Sequence, residues 1–302
     1  MKYLICFLSL FLFSFFIPSS NYAAFSDEGC LSFFKPDPSV LGQGEISKVE
    51  FRIKEGCLLK RVSFDSLSVP FKEEKDGTLM VLVGVGLKEK PCKKKIVFHL
   101  LKDGIHIKET RYIRVKKKRY RAEYLKVKKK MVSFPPNILK RVLDDQQAIR
   151  TVCGNIRPVI FWKEGFVWPV RSKILSPFGL RRYFNGKPRS PHSGVDLRAR
   201  SNTPIRSPND GMVVLVRDCY LSGKTVVIDH GGGLFTLYAH LSRVNVKRGQ
   251  MVERGQIIGL SGASGRVTGP HLHWGVSLLG KRVDPEMLMR LLGADSNPLP
   301  KI

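Results

Sequence analysis

Four of the seven histidines in this 302-residue chain, His192, His240, His271 and His273, fall in one glycine-rich stretch with strand-like alternation. Pro191-His-Ser-Gly-Val-Asp196 places His192 four residues before Asp196, and Ser193-Gly194 between them lets the chain curl so that both reach one ion. Gly269-Pro-His-Leu-His-Trp-Gly275 places His271 and His273 two apart. Alternate residues of a strand share a face, so both imidazoles should point one way while Leu272 turns into the core. His240 follows the run Leu234 to Tyr238 and is expected on the face of Thr236 and Tyr238, at the edge of the same sheet. Two imidazoles and one carboxylate form a shell that suits Zn²⁺ and leaves a fourth position for water, as in catalytic zinc sites. Such an ion brings the pKa of its water toward neutrality and polarises a carbonyl, so the chemistry is metal-assisted hydrolysis. No His-Glu-x-x-His helix supplies a glutamate base. His230, in the turn Asp229-His-Gly-Gly, reads as structural, and His99 and His106 read as ordinary strand residues.

The surrounding pattern is mainly β. Val49, Phe51 and Ile53 alternate with Lys48, Glu50 and Arg52, as in a half-buried strand. Apolar runs at Leu79–Val85 and Ile96–Leu101, with Asp76-Gly77 and Asp103-Gly104 as hairpin signals, suggest a small immunoglobulin-like β-sandwich over residues 25–130. Pro135-Pro136 then breaks the pattern, and Ile138, Leu139, Val142, Leu143 and Ile149 recur at helical spacing. A helical linker is expected over 131–160. Strands and turns resume over 161–292 as an antiparallel sheet, with Gly231-Gly-Gly233 joining two strands, a short helix at Met287 to Leu292, and a polar tail at 293–302.

Residues 1–24 have the form of a secretory signal: Lys2, an apolar run from Tyr3 to Pro18, and small residues up to Ala24. An uncleaved anchor is the competing reading. No other stretch is apolar enough to span a bilayer, so a mature chain without a transmembrane segment is expected, in the periplasm or cell envelope or secreted. Export permits disulfides, and a Cys57–Cys92 bridge is expected, set against the reading that most cysteines are buried small hydrophobes. The net charge of +27 is spread over both halves and is densest from Arg111 to Lys130. Such a surface favours anionic polymers. With an export signal, these are anionic envelope polymers rather than nucleic acid, which is not an expected partner.

From about Trp168 to Pro285 the chain resembles the lysostaphin/LytM-type zinc peptidases, the M23 family of cell-wall hydrolases. The likeness rests on His192-x-x-x-Asp196, Tyr238-Ala-His240, His271-x-His273 and flanking glycines in Ser176-Pro-Phe-Gly179 and Gly255-Gln-Ile-Ile-Gly259. It implies one Zn²⁺ held by His192, Asp196 and His273. His240 and His271 are then the catalytic histidines that take a proton or steady the oxyanion, with the division between them open. Asn185, Tyr238 and Arg182 are candidate substrate contacts. The implied function is an exported zinc metalloendopeptidase acting through a zinc-activated water on peptidoglycan stem peptides or cross-links. The alternatives are a non-catalytic envelope regulator of the amidase-activator type, a wall-binding protein, or a secreted toxin. Relatives of the regulator type usually lack zinc ligands, whereas all five key residues are present here. Removing residues 25–130 is expected to alter localisation or regulation more than turnover.

Overall fold

The computed structural model describes residues 29–126, 134–163, 165–294 and 299–300; the expected signal segment lies outside them. Near the N-terminus two sheets face each other. One runs in the order Leu31–Asp37, Ile46–Ile53, Leu79–Gly84, Lys72–Glu73. The other runs Val40–Gly42, Ile105–Lys116, Cys92–Lys102, Cys57–Phe64, Leu67–Val69. The two-residue period dictates this arrangement: Val49 and Phe51 are buried from one sheet, and Ile96, Phe98 and Leu100 from the other. The rings of Phe51 and Phe98 meet edge-on at 4.8 Å between the layers. Each such side chain contributes roughly 1.5–3 kcal/mol by leaving water. The disulfide joins Cys30 to Cys57 and not Cys57 to Cys92. Cys30 is fully buried where the first strand begins, close to the start of the Cys57 strand, whereas Cys92 is an exposed free thiol.

The site sits on a ten-stranded sheet. Its main path is Ile174–Ser176, Val195–Arg198, His271–Leu278, Leu234–Val244, Gly223–Asp229, Gly211–Cys219, Met251–Val252. On one face Leu272, Trp274, Val276 and Tyr238 are buried in the main core. The other face is divided. Over Val227, Phe235, Leu237 and Ala239 lies helix α1 (Pro136–Gly154), which packs Ile149 and Cys153 onto them. Proline in the first turn suits α1, because the first N–H groups of a helix have no intrahelical partner. Buried Asp145 locks the helix in place, accepting from Arg217 Nε at 2.6 Å and from the Tyr220 N–H at 2.8 Å. The linker helix therefore roofs this part of the sheet. A second helix, α2 (Pro285–Leu292), is capped by Asp284, which accepts from the Glu286 N–H at 3.0 Å.

The N-terminal sheets and the large sheet share one hydrophobic core. Tyr120 lies edge-on to Phe178 and donates its hydroxyl to the Gln43 carbonyl. Gly179, at φ +77°, sits under that ring, where a Cβ would come within 2.2 Å of Tyr120 Cδ1. Just beyond, Ala122–Leu125 pairs in parallel with Arg181–Phe184, and Tyr124 stacks on Tyr183 at 4.7 Å. At the far end Leu299 is buried and Pro300 accepts from the Ile174 N–H at 2.9 Å, so the described part of the expected polar tail packs against the sheet.

Candidate metal centre

His192 is presented by a loop and Asp196 by the strand that follows it. The loop is pinned by paired backbone bonds, Gly179 N–H to the His192 carbonyl at 2.8 Å and His192 N–H to the Leu180 carbonyl at 2.9 Å. Gly194 allows this close approach, because a Cβ there would lie 2.3 Å from the Trp274 carbonyl oxygen. Asp196 pairs in register with His273, and Arg198 with His271, which sets both histidines and the aspartate on one face.

The ligand atoms converge. His192 Nε2 is 3.0 Å from Asp196 Oδ1 and 3.0 Å from His273 Nδ1, which is itself 2.9 Å from Asp196 Oδ1. His192, Asp196 and His273 offer three ligand atoms within 4.8 Å of one another. A carbonyl can only accept, so the 2.9 Å contact of His192 Nδ1 with Pro177 O commits that nitrogen's proton and leaves a lone pair on Nε2. Lone pairs from two imidazoles and a carboxylate then face each other, an arrangement that needs a shared positive charge. The donors and their spacing fit a zinc ion, and the bond from His192 to Pro177 is the outer support that fixes a ligating imidazole. Burial works against the charge on Asp196, yet the two imidazoles hold its carboxyl well below the usual range. Burial likewise lowers the pKa of His273, against the pull of Asp196.

His271 and His240 stand beside this cluster. Their rings lie 4.8 Å apart, and His240 is 6.2 Å from the His273 ring. Each commits Nδ1 to a backbone carbonyl, His271 to Gly269 and His240 to Ser264, both at 2.9 Å. In both, Nε2 is left as an acceptor, and that of His271 is 3.7 Å from Asp196 Oδ1. Burial depresses the pKa of His240 to about 4, so it is neutral at pH 7.

His240 reaches the site by a route that alternation does not supply. Strict period two would put it on the face of Tyr238. Between the pairs Val226↔Tyr238 and Lys224↔Leu241, two residues of Leu234–Val244 oppose one of Gly223–Asp229, and His240 takes φ +64°. This bulge turns the imidazole to the metal face. Tyr238 remains behind, fully buried beside Trp274 with its hydroxyl 2.7 Å from Thr236 Oγ1. It lines no cleft, which corrects its expected role as a substrate contact. Arg182 is engaged by Glu123 at 3.2 Å and by Ser176 at 2.9 Å. Asn185 is exposed at the hairpin tip, with its N–H on the Leu125 carbonyl at 3.0 Å. His230 is wholly buried between the Asp210 carbonyl at 2.7 Å and Thr236 at 2.8 Å. The carbonyls of Pro177, Ser264 and Gly269 were invisible to sequence reasoning, since any residue type carries one.

Residues 190–285 match the profile of Peptidase family M23. A crystal structure of a protein assigned to peptidase M23 from Pseudomonas aeruginosa is 30% identical and superposes with a TM-score of 0.65 over 84% of this chain and 95% of that one. The peptidoglycan DD-endopeptidase ShyA of Vibrio cholerae is 47% identical over 39% of this chain and 28% of its own length. The DD-carboxypeptidase/endopeptidase Mpg of Neisseria meningitidis is 36% identical over 43% of this chain and 28% of its own length. The match thus spans under a third of these two curated relatives. Fold, ligand geometry and the likeness over nearly the whole Pseudomonas chain agree: this chain belongs to peptidase family M23.

Proposed function

We propose that the chain is an exported zinc metalloendopeptidase that cleaves peptide bonds in peptidoglycan. The observation that carries this reading is the placement of two non-ligand histidines against a three-ligand cluster on one sheet face. One zinc ion held by His192, Asp196 and His273 would supply Lewis acidity and an acidified water. His271 and His240 each present a lone pair on Nε2 with the opposite nitrogen already donating to a fixed carbonyl, so either can accept a proton without turning its ring. Once protonated, the same nitrogen can donate to a developing oxyanion or to the leaving amine. Asn185 and Arg182 stand as contacts for the substrate chain along the hairpin edge. The substrate class is supported by the names of ShyA and Mpg. Among the described residues no helix is long and apolar enough to cross a membrane, and export rests on the leading segment. The basic surface would hold the enzyme on anionic envelope polymers.

Incubation of the purified protein with isolated sacculi, with new peptide ends identified by mass spectrometry, tests the proposal. Release that depends on zinc and disappears in His192→Ala is expected. Zinc-replete protein that releases nothing would overturn it.

A further inference from the structure

A cavity of about 590 Å³ lies at the metal-bearing loop, lined by Gly86–Lys90 from the loop between strands Leu79–Gly84 and Cys92–Lys102, by Ser190, Pro191 and Ser193, and by Lys281 and Arg282. This size is ordinary for a ligand site. Arg282 pairs in register with Ser277, and a Cβ on Gly275 would lie 3.5 Å from its Nη1. The guanidinium therefore lies over the same face as His273, two residues further along that strand. It is half-buried, and burial presses against its charge. Among the described residues no ion pair is made to Arg282.

The rest of the cavity wall does not supply the missing anion. Lys88, Lys90 and Lys281 line it, and the carboxylate among its lining residues, Glu89, is taken by Lys94 at 2.7 Å. A half-buried guanidinium without a carboxylate counter-ion is open to one, and its fixed fork matches a carboxylate with two parallel hydrogen bonds. Ser190 and Ser193 add hydroxyls around the same space.

Building on the peptidase reading, we infer that this cavity is a subsite for a free carboxylate of the substrate peptide, with Arg282 as the recognising group and Lys88 and Lys281 as its electrostatic rim. His192 lies between Pro191 and Ser193 of the cavity wall, so a peptide anchored here by its carboxylate is held against the metal-bearing loop. Arg282 is then a specificity determinant, and an amidated substrate loses its anchor.

Two measurements test this independently. Cys92 is an exposed free thiol in the wall of the same cavity. With Cys6→Ser as background, its reaction rate with the dicarboxylate 5,5′-dithiobis(2-nitrobenzoate) is compared with that for neutral 4,4′-dithiodipyridine. The anionic reagent should be favoured. Millimolar citrate should slow it, and its advantage should fall several-fold in Arg282→Gln and in the surface variant Lys281→Ala. Equal ratios in wild type and both variants, with no effect of citrate, would overturn the subsite even if the enzyme cuts peptides. The second measurement compares stem peptides carrying a free carboxylate with their amides. Wild type should show a KM roughly tenfold lower for the free acid. That preference should vanish in Arg282→Gln, return in part in Arg282→Lys, and leave kcat within about twofold. Cleavage without any preference for the acid removes the subsite alone. Cleavage of neither peptide removes the hydrolase reading, and the Cys92 rates still decide the subsite.

Discussion

Tyr238 and His240 stand two residues apart on one strand and face opposite sides of their sheet. Tyr238 is sealed in the core, while the His240 ring lies 4.8 Å from that of His271. The bulge at Ala239-His240 makes the difference, and His240 accepts a left-handed backbone there, a conformation uncommon for a residue with a Cβ. If His240 moves protons rather than binding metal, His240→Ala should lower kcat by roughly 10²- to 10⁴-fold while zinc content stays at wild-type level. Metal analysis beside muropeptide kinetics would show this. Loss of zinc together with activity would reassign His240 to the ligand set.

Removal of a ligand should behave differently. Asp196→Asn and His273→Ala should each release the ion and abolish turnover together, with activity restored to wild type only by added zinc and not to the variants. Equilibrium dialysis against a chelator series measures the change, expected at about 10- to 100-fold or more in affinity even when only a supporting contact is lost.

His230 gives the fold an acid sensitivity separate from the metal. Burial lowers its pKa to about 4 from the ordinary 6.5. Between these values the unfolded chain binds a proton that the folded chain refuses, so stability is complete above pH 6.5 and falls as the pH drops toward 4. The loss is on the order of 3 kcal/mol. Thermal unfolding from pH 7.5 to 4 should show the slope, and His230→Gln should reduce it from a lower starting Tm, leaving the share of His240.

Asp145 is the polar bolt of α1. Its replacement by alanine strands the Tyr220 N–H and the Arg217 guanidinium, although Arg217 is part-exposed and recovers some solvation. A loss of about 2–3 kcal/mol is expected by denaturant unfolding.

Tyr120 and Gly179 should prove strongly coupled. Gly179→Ala forces a methyl group into the Tyr120 ring at a positive-φ position, and should cost roughly 1–3 kcal/mol. In a Tyr120→Ala background the steric part of that cost disappears. A double-mutant cycle on Tm or on unfolding free energy should therefore show a non-additive term of about 0.5–3 kcal/mol.

The convergence of His192, Asp196 and His273 was legible in the sequence because metal-ligating chemistry is tied to residue type: few side chains other than His and Asp can serve, and period two fixes the phase of His271 and His273. The strands Ile46–Ile53 and Cys92–Lys102 were legible for the same periodic reason. Tyr238 was misplaced because it was expected to share a face with His240; the residue inserted after it inverts the phase of His240, and a bulge leaves no mark in hydrophobic alternation. The Cys30–Cys57 pairing depends on which strand ends meet in space, which spacing along the chain does not encode. The helix at Pro136–Gly154 was visible from its 3.6-residue pattern, but its berth was not, since the same apolar stripe would serve a free linker.

The roof formed by α1 has a directional consequence. Phe235, Leu237 and Ala239 continue the plane of the metal face but are covered by the helix. Anything laid across the candidate metal cluster therefore meets a wall on that flank, set by the helix before any specific contact is made.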